Sequence, residues 1–360
     1  MLRGMMNSMD GKRLDYIDAL RGLAILGVVM VHCGQDFDNL PSWVRSFTDY
    51  GGRGVQLFFV LSALTLAEVY SGKVVSTRVF LIRRFFRIAP MFYVGAVLYT
   101  LLNGTGPQRF APEGVHLHQF VLTGLFLHIW AADSFNAVVP GGWSIGNEAT
   151  FYLIFLPLLG VITTLRRAVL AFVLAAVLSK LVRVFTAFRF GHDDLMEVFS
   201  AFSFPAQFAA FMGGFVVFHL IRHVNSTRKI QVKSYSPVCA LFFICLLLAV
   251  AFSNVDWLRS PLLGIPIWIG LITAVSGGGS KWIVNSIMGY LGKVSYSVYI
   301  LHFALVGPVK SAVAYAALDN SPVAQLVATY ITTLSVAALL ASVTYHFVER
   351  PMIKCGKLIT

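Results

Sequence analysis

What this chain has least of is charge. Asp, Glu, Lys and Arg together make up 12% of its 360 residues, about half the ~25% usual in soluble domains. That shortage excludes a sizeable soluble domain. Long polar intervals are missing too, as is any Pro/Gly/Ser-rich linker or evident internal repeat, so the chain reads as one domain. Cysteine is scarce: four residues, Cys33, Cys239, Cys245 and Cys355, without CxxC spacing and mostly in or beside apolar runs. Neither a disulfide framework nor a metal site is expected from them. The opening "MLRGMMNSMDGKRLDYIDALRG" is too long and polar to resemble a cleavable leader, and no small-residue cleavage site follows. The first apolar segment is therefore expected to stay as a helix.

What is present is hydrocarbon: 57% of residues are hydrophobic and the mean hydropathy is +0.76. Crossing a bilayer takes about 17 to 25 apolar residues. Such segments fall near 17–36, 54–71, 86–103, 148–165, 167–187, 203–221, 237–253, 260–276, 284–306 and 323–347. An eleventh, "FVLTGLFLHIW" at 120–130, is too short to cross and reads as re-entrant or interfacial. The predicted class is an all-α polytopic membrane protein of about ten transmembrane helices. Basic residues set its orientation, because positively charged loops stay cytoplasmic. With the N-terminus inside, that side collects Arg3, Lys12, Arg13, Lys73, Arg78, Arg83, Arg84, Arg87, Arg166, Arg167, Arg222, Arg228, Lys229, Lys233, Lys281, Arg350, Lys354 and Lys357. The other side keeps Arg45, Arg53, Arg109, Arg259 and Lys310. Both termini are thus expected in the cytoplasm, with tails at 1–13 and 352–360 flanking a membrane domain at 14–351. The net charge of +12 lies mainly in short juxtamembrane loops, which argues for topology and anionic-lipid contact and against nucleic-acid binding.

One basic cluster stands apart. In "IRRFFRIAP", 82–90, Arg83, Arg84 and Arg87 stand at the mouth of the third span. Their i,i+3 and i,i+4 spacing allows the guanidinium groups to converge, and guanidinium binds phosphate in a bidentate way that lysine cannot match. Plain positive-inside anchoring is the alternative.

Ionisable residues within spans are costly and usually face a cavity or a partner. Arg21 and His32, eleven residues apart, lie on one helix face about 16 Å apart along the axis. Asp18, one turn before Arg21, is placed to pair with it. In "GGWSIGNEATFYLIFLP", 141–157, Ser144, Glu148 and Tyr152 form one stripe beside Trp143. In "LGKVSYSVYILHFALVG", 291–307, Ser295, Tyr299 and His302 form another, and Glu349 with Arg350 ends the last span. A polar pair between helices could equally explain Glu148 and His302. Cys33 adjoins His32, but neighbouring helical residues point about 100° apart, so the two do not share a face.

Taken in order, "RLDYIDALRGLAILGVVMVH", "GVQLFFVLSALTLA", "RRFFRIAPMFYV", "WSIGNEATFYLIFLPLL", "LGKVSYSVYILHF" and "YHFVERP" resemble the signature blocks of the acyltransferase-3 family. These are integral-membrane O-acyltransferases of bacterial surface polysaccharides. Arg21 with His32 resembles the family's Arg-x10-His signature and Arg84 with Arg87 its Arg-x-x-Arg signature. The chain departs from the family at Ala19 and Ala63, commonly Gly. It departs again at Glu148-Ala149-Thr150, commonly a double acid followed by Gln, which leaves Glu148 as the single acid of that block. Many relatives carry a C-terminal periplasmic hydrolase-like domain; this chain resembles the stand-alone form.

The resemblance implies transfer of an acyl group, most often acetyl from acetyl-coenzyme A, to a sugar hydroxyl of a lipid-linked or surface polysaccharide such as O-antigen or exopolysaccharide. It places the protein in the bacterial inner membrane. It implies that Arg21, Arg83, Arg84 and Arg87 meet coenzyme A, and that His32, Glu148 and His302 serve catalysis. Trp143, Ser144, Tyr152, Ser295 and Tyr299 would face substrate, with no metal needed. An imidazole suits either a general base or a transient acyl carrier, and the sequence leaves both open, as it does oligomeric state. A proton-coupled sugar or anion transporter is the competing class. Paired Gly/Pro-broken helices in matching halves, frequent in transporters, are not evident.

Overall fold

A computed structural model describes the backbone of residues 2–35, 37–191, 193–227, 232–253, 260–316 and 321–360; side chains of 2–14, 225–227 and 232–234 lie outside the description. Arg228, Lys229 and Arg259, counted above for orientation, are outside the described residues. The described chain is helical and contains no strand.

Its helices, in order, are α1 (Leu2–Gln35), α2 (Ser42–Tyr50), α3 (Gly54–Tyr70), α4 (Thr77–Asn103), α5 (Leu117–Gly124), α6 (Gly142–Val161) and α7 (Leu165–Phe190). There follow α8 (Asp194–Phe202), α9 (Phe204–Thr227), α10 (Val232–Ala251), α11 (Pro261–Ser276), α12 (Ser286–Tyr315), α13 (Pro322–Thr344) and α14 (Arg350–Leu358). Among the described residues, eight helical segments are long and apolar enough to cross a membrane, and shorter apolar helices occupy 235–251 and 261–276. Together they match the ten apolar segments of the sequence. The eleventh forms only α5 and a 3-10 turn at His128–Trp130, too short to cross a ~30 Å hydrocarbon core.

Several boundaries differ from expectation. The fourth and fifth spans part at 162–164, because the Thr164 side chain accepts a hydrogen bond from the Arg167 N–H and caps α7. Arg166 and Arg167 therefore belong to the first turn of α7. α4 begins at Thr77, so Arg83, Arg84 and Arg87 lie inside a helix and not at its mouth. Helix also runs from Leu2 through residues read as an N-terminal tail. At the other end, α13 passes through a π-helical turn, Tyr345–Glu349, into α14; residues 352–358 are helical.

The chain forms two compact units, Met1–Val69 with Gly213–Ala338, and Tyr70–Met212 with Leu339–Thr360. In the first, α1 lies along α12 at backbone contact. A Cβ on Gly22 would overlap the Met288 carbonyl, and one on Gly292 the Asp18 carbonyl, which is how small residues let membrane helices close up. Ile17, Leu20, Ile25 and Val28 of α1 and Val294, Val298 and Ile300 of α12 are buried. In the second unit, α14 packs on the first half of α4, with Gly356 against Phe86, and Phe80 stacks on Phe155.

Candidate active site

In the first unit the Arg21 to His32 stripe occupies one face of α1. Arg21 Nη2 donates to Thr65 Oγ1 (3.2 Å) and Nη1 reaches Asp18 Oδ1 (3.5 Å), so the Asp18 pairing read from the sequence is present. His32 lies with its ring centroid 5.2 Å from that of His302 on α12 and 4.2 Å from Phe303. Tyr299 stands 5.8 Å from His302. The two histidines, 270 positions apart in sequence, are therefore brought together by α1–α12 packing. His302 is fully buried; its Nδ1–H donates to the Val298 carbonyl (3.2 Å), and its Nε2 is buried without a partner. His32 Nδ1 lies 3.0 Å from Gln35 Oε1. The Ser295 hydroxyl donates to the Gly292 carbonyl (2.8 Å). Cys33 is buried. The opposite face of α1, through Leu23, Gly27 and Met30, lines an apolar cavity of about 280 Å³.

The second unit holds the arginine motif, in which Arg84 and Arg87 both act on Tyr152 and each guanidinium also has a contact of its own. Arg83 Nε donates to Thr360 Oγ1 (2.8 Å), and Arg87 pairs with the buried Glu349 carboxylate. The Arg84 guanidinium lies about 6 Å from the Tyr70 and Phe80 ring centroids, with its Nε buried and unpartnered. Each arginine has found a different neighbour around the helix. Glu148 accepts from the Tyr152 hydroxyl (2.6 Å), as their i,i+4 spacing implies. Trp143 stacks on Phe202 at 4.3 Å and Ser144 donates to the Gly141 carbonyl (3.0 Å), both within this unit.

Sequence reasoning missed Gln35, Thr65 and Phe303, and did not single out Glu349 as the partner of Arg87. The only signal for Gln35 was its i+3 spacing from His32. Glu349 sits 262 positions from Arg87, where no local pattern reaches.

The segment 104–141 outside the spans has its own anchor. His128 is buried, donates from Nε2 to the Gly142 carbonyl (3.0 Å) and stacks on Phe92. Burial pushes its imidazole down, against the opposing pull of the Gly142 carbonyl. As pH falls through about 6.5, the ordinary imidazole value, the unfolded segment takes up a proton that the folded one refuses, so its stability declines. Hydrogen-exchange protection factors over 117–142 should drop between pH 7.5 and 5.5 in the native protein and hold steady in His128→Gln. A pH-independent native profile would contradict this assignment.

The sequence matches the profile of the acyltransferase domain over residues 14–342. The chain belongs to the acyltransferase-3 family. A Staphylococcus aureus (strain COL) protein provisionally named an O-acetyltransferase is 25% identical over 389 residues, covering 96% of this chain and 58% of the relative. The O-acetyltransferase OatA of S. aureus (strain NCTC 8325 / PS 47) is 24% identical over 417 residues, covering 98% of this chain and 60% of its own. This family member thus spans about 60% of the length of these relatives. No solved structure matches it.

Proposed function

We propose that this acyltransferase-3 protein is a membrane O-acyltransferase that moves an acyl group, acetyl in the first instance, from acetyl-coenzyme A to a sugar hydroxyl of a lipid-linked or surface polysaccharide. The observation that carries the reading is the His32–His302 pair, two imidazoles from separate helices within an apolar unit, an expensive arrangement in a membrane that argues for chemistry. In the proposed step His32 takes the proton of the attacking hydroxyl. The oxygen adds to the thioester carbonyl, and the tetrahedral adduct collapses with loss of the coenzyme A thiolate, which recovers the proton from His32. The competing route forms an acyl-imidazole on His32, releasing coenzyme A before the sugar attacks.

Arg84, whose guanidinium retains an unpartnered Nε, and Arg83, tied only to a threonine hydroxyl, are assigned to donor phosphates. Arg87, already paired with Glu349, is a weaker candidate. Arg21 is assigned to donor binding, and Glu148 and His302 to orienting roles. Trp143, Tyr152 and Tyr299 retain acceptor-facing roles, and Ser144 and Ser295 shape the helix backbone beneath them. Both termini in the cytoplasm of an inner membrane, with the arginines on that side, fit the compartment that holds coenzyme A.

The test uses the purified protein in nanodiscs with radiolabelled acetyl-coenzyme A and a panel of hydroxyl-bearing glycans. Label moving to glycan with stoichiometric release of coenzyme A is expected. Label held on the native protein and absent from His32→Ala selects the acyl-histidine route. Intact acetyl-coenzyme A beside folded protein, with every glycan unlabelled, would point to a carrier.

A further inference from the structure

We propose that Gln35 is the positioning residue of His32: its side-chain oxygen accepts from Nδ1–H, so that Nε2 is the nitrogen left to take the substrate proton. The catalytic half of this statement rests on the acyltransferase reading; the hold on the imidazole does not.

The argument begins with the end of α1. Gln35 is its last residue, one turn beyond His32, and its Oε1 lies 3.0 Å from His32 Nδ1. The turn that carries both is tied down: Arg45 on α2 donates to the Gly34 carbonyl (3.0 Å) and to the Phe37 carbonyl. A helix C-terminus whose carbonyls are satisfied by a guanidinium does not fray readily, so Gln35 has a fixed base from which to reach back.

His302 provides the comparison. A backbone carbonyl can only accept, so the His302 contact to Val298 means that Nδ1 carries the hydrogen and Nε2 is a lone pair, buried and without a donor. Both facing rings are thus anchored through Nδ1 to an oxygen three or four residues away on their own helix. With the same tautomer on His32, both Nε2 atoms are acceptors, and the missing complement is an O–H or N–H donor. A sugar hydroxyl is such a group. An imidazole free in water prefers its proton on Nε2, which would turn His32 into a donor toward that hydroxyl; which nitrogen is protonated is set by the hydrogen bond of the other. An amide also holds the ring without adding charge beside it. Among the described residues, the cationic groups at this end of the helix include Arg45, at Gly34 and Phe37, and Lys310 of α12 over the Phe37 ring, and on the facing helix His302, beside the His32 ring, and Tyr299, beside His302, are titratable groups.

Histidine-selective ¹⁵N NMR of the full chain in nanodiscs, with His32→Ala to assign the resonance, reads the tautomer directly. The native protein should show His32 in the Nδ1–H form. Gln35→Leu should move a substantial share to Nε2–H and lower kcat by about 100-fold, while KM for acetyl-coenzyme A stays within about twofold, since a wrong tautomer disables the base and not donor binding. Gln35→Glu, which also accepts, should keep the native tautomer and serves as the folded control. A native Nε2–H form, or a Gln35→Leu protein with unchanged tautomer and kcat, overturns the proposal. If the tautomer shifts as expected while even native protein transfers no acyl group, Gln35 still holds His32 and it is the acyltransferase reading that fails.

Discussion

Replacing His32 by alanine lowers acyl transfer about 10³-fold while leaving the melting temperature of the purified protein within a few degrees of native. The size follows from the part assigned to it, since a positioned general base contributes about 10² to 10⁴. The mild structural effect follows from its surroundings: the ring touches His302 and Phe303 at the margin of the α1–α12 contact, whereas the close approach itself is made by Gly22 and Gly292. The measurement is single-turnover transfer of labelled acetyl to glycan alongside thermal unfolding. Transfer within tenfold of native would remove His32 from the chemistry. His302→Ala is expected to fall between the two, because its partly unpaired buried ring orients without taking the substrate proton.

Glu349→Ala has the largest expected effect on stability, a loss of about 3 kcal/mol or more, because removing one member of a buried ion pair leaves its partner short of countercharge. The Glu349 side chain is 0% exposed and that of Arg87 29%, so water can compensate only in part. The loss should appear as a lower melting temperature and as protease cleavage within α14, which Arg87–Glu349 and the Phe86–Gly356 contact hold against α4. The double change Arg87→Met/Glu349→Leu should recover most of it, since a well-packed apolar pair avoids desolvating two charges. An unshifted melting temperature in Glu349→Ala would mean that the pair contributes nothing to holding the last helix.

Most of the helices were legible in the sequence. Ten apolar segments announce ten helices because a backbone in hydrocarbon has to satisfy its own hydrogen bonds, and length alone excluded 120–130. Boundaries were less legible, for local reasons. Thr164 ends one helix and starts another by a single side-chain hydrogen bond, and helix continues past Glu349 through a π turn that leaves no hydrophobic signature. The candidate residues divide in the same way. Pairs on one helix, Asp18 with Arg21 and Glu148 with Tyr152, follow from i,i+3 and i,i+4 geometry and appear in the structure. For the arginine cluster, spacing states which side chains can meet but not which other partners they also find. Thr360, Glu349 and the Tyr70 and Phe80 rings are partners that no local spacing names.

By itself, then, the sequence determined the solvent of this protein, the places of its apolar helical segments and the family to which it belongs, since hydropathy and motif spacing are local along the chain. Only the tertiary structure decided that His32 meets His302, that Glu349 neutralises Arg87 and that Gln35 turns back onto the imidazole. The first two join residues more than 250 positions apart, where the contact depends on glycines that let two backbones touch and on the helix faces that packing selects. The third is local, yet a glutamine at a helix end has many places to point, and it took the tied-down end of α1 to select one.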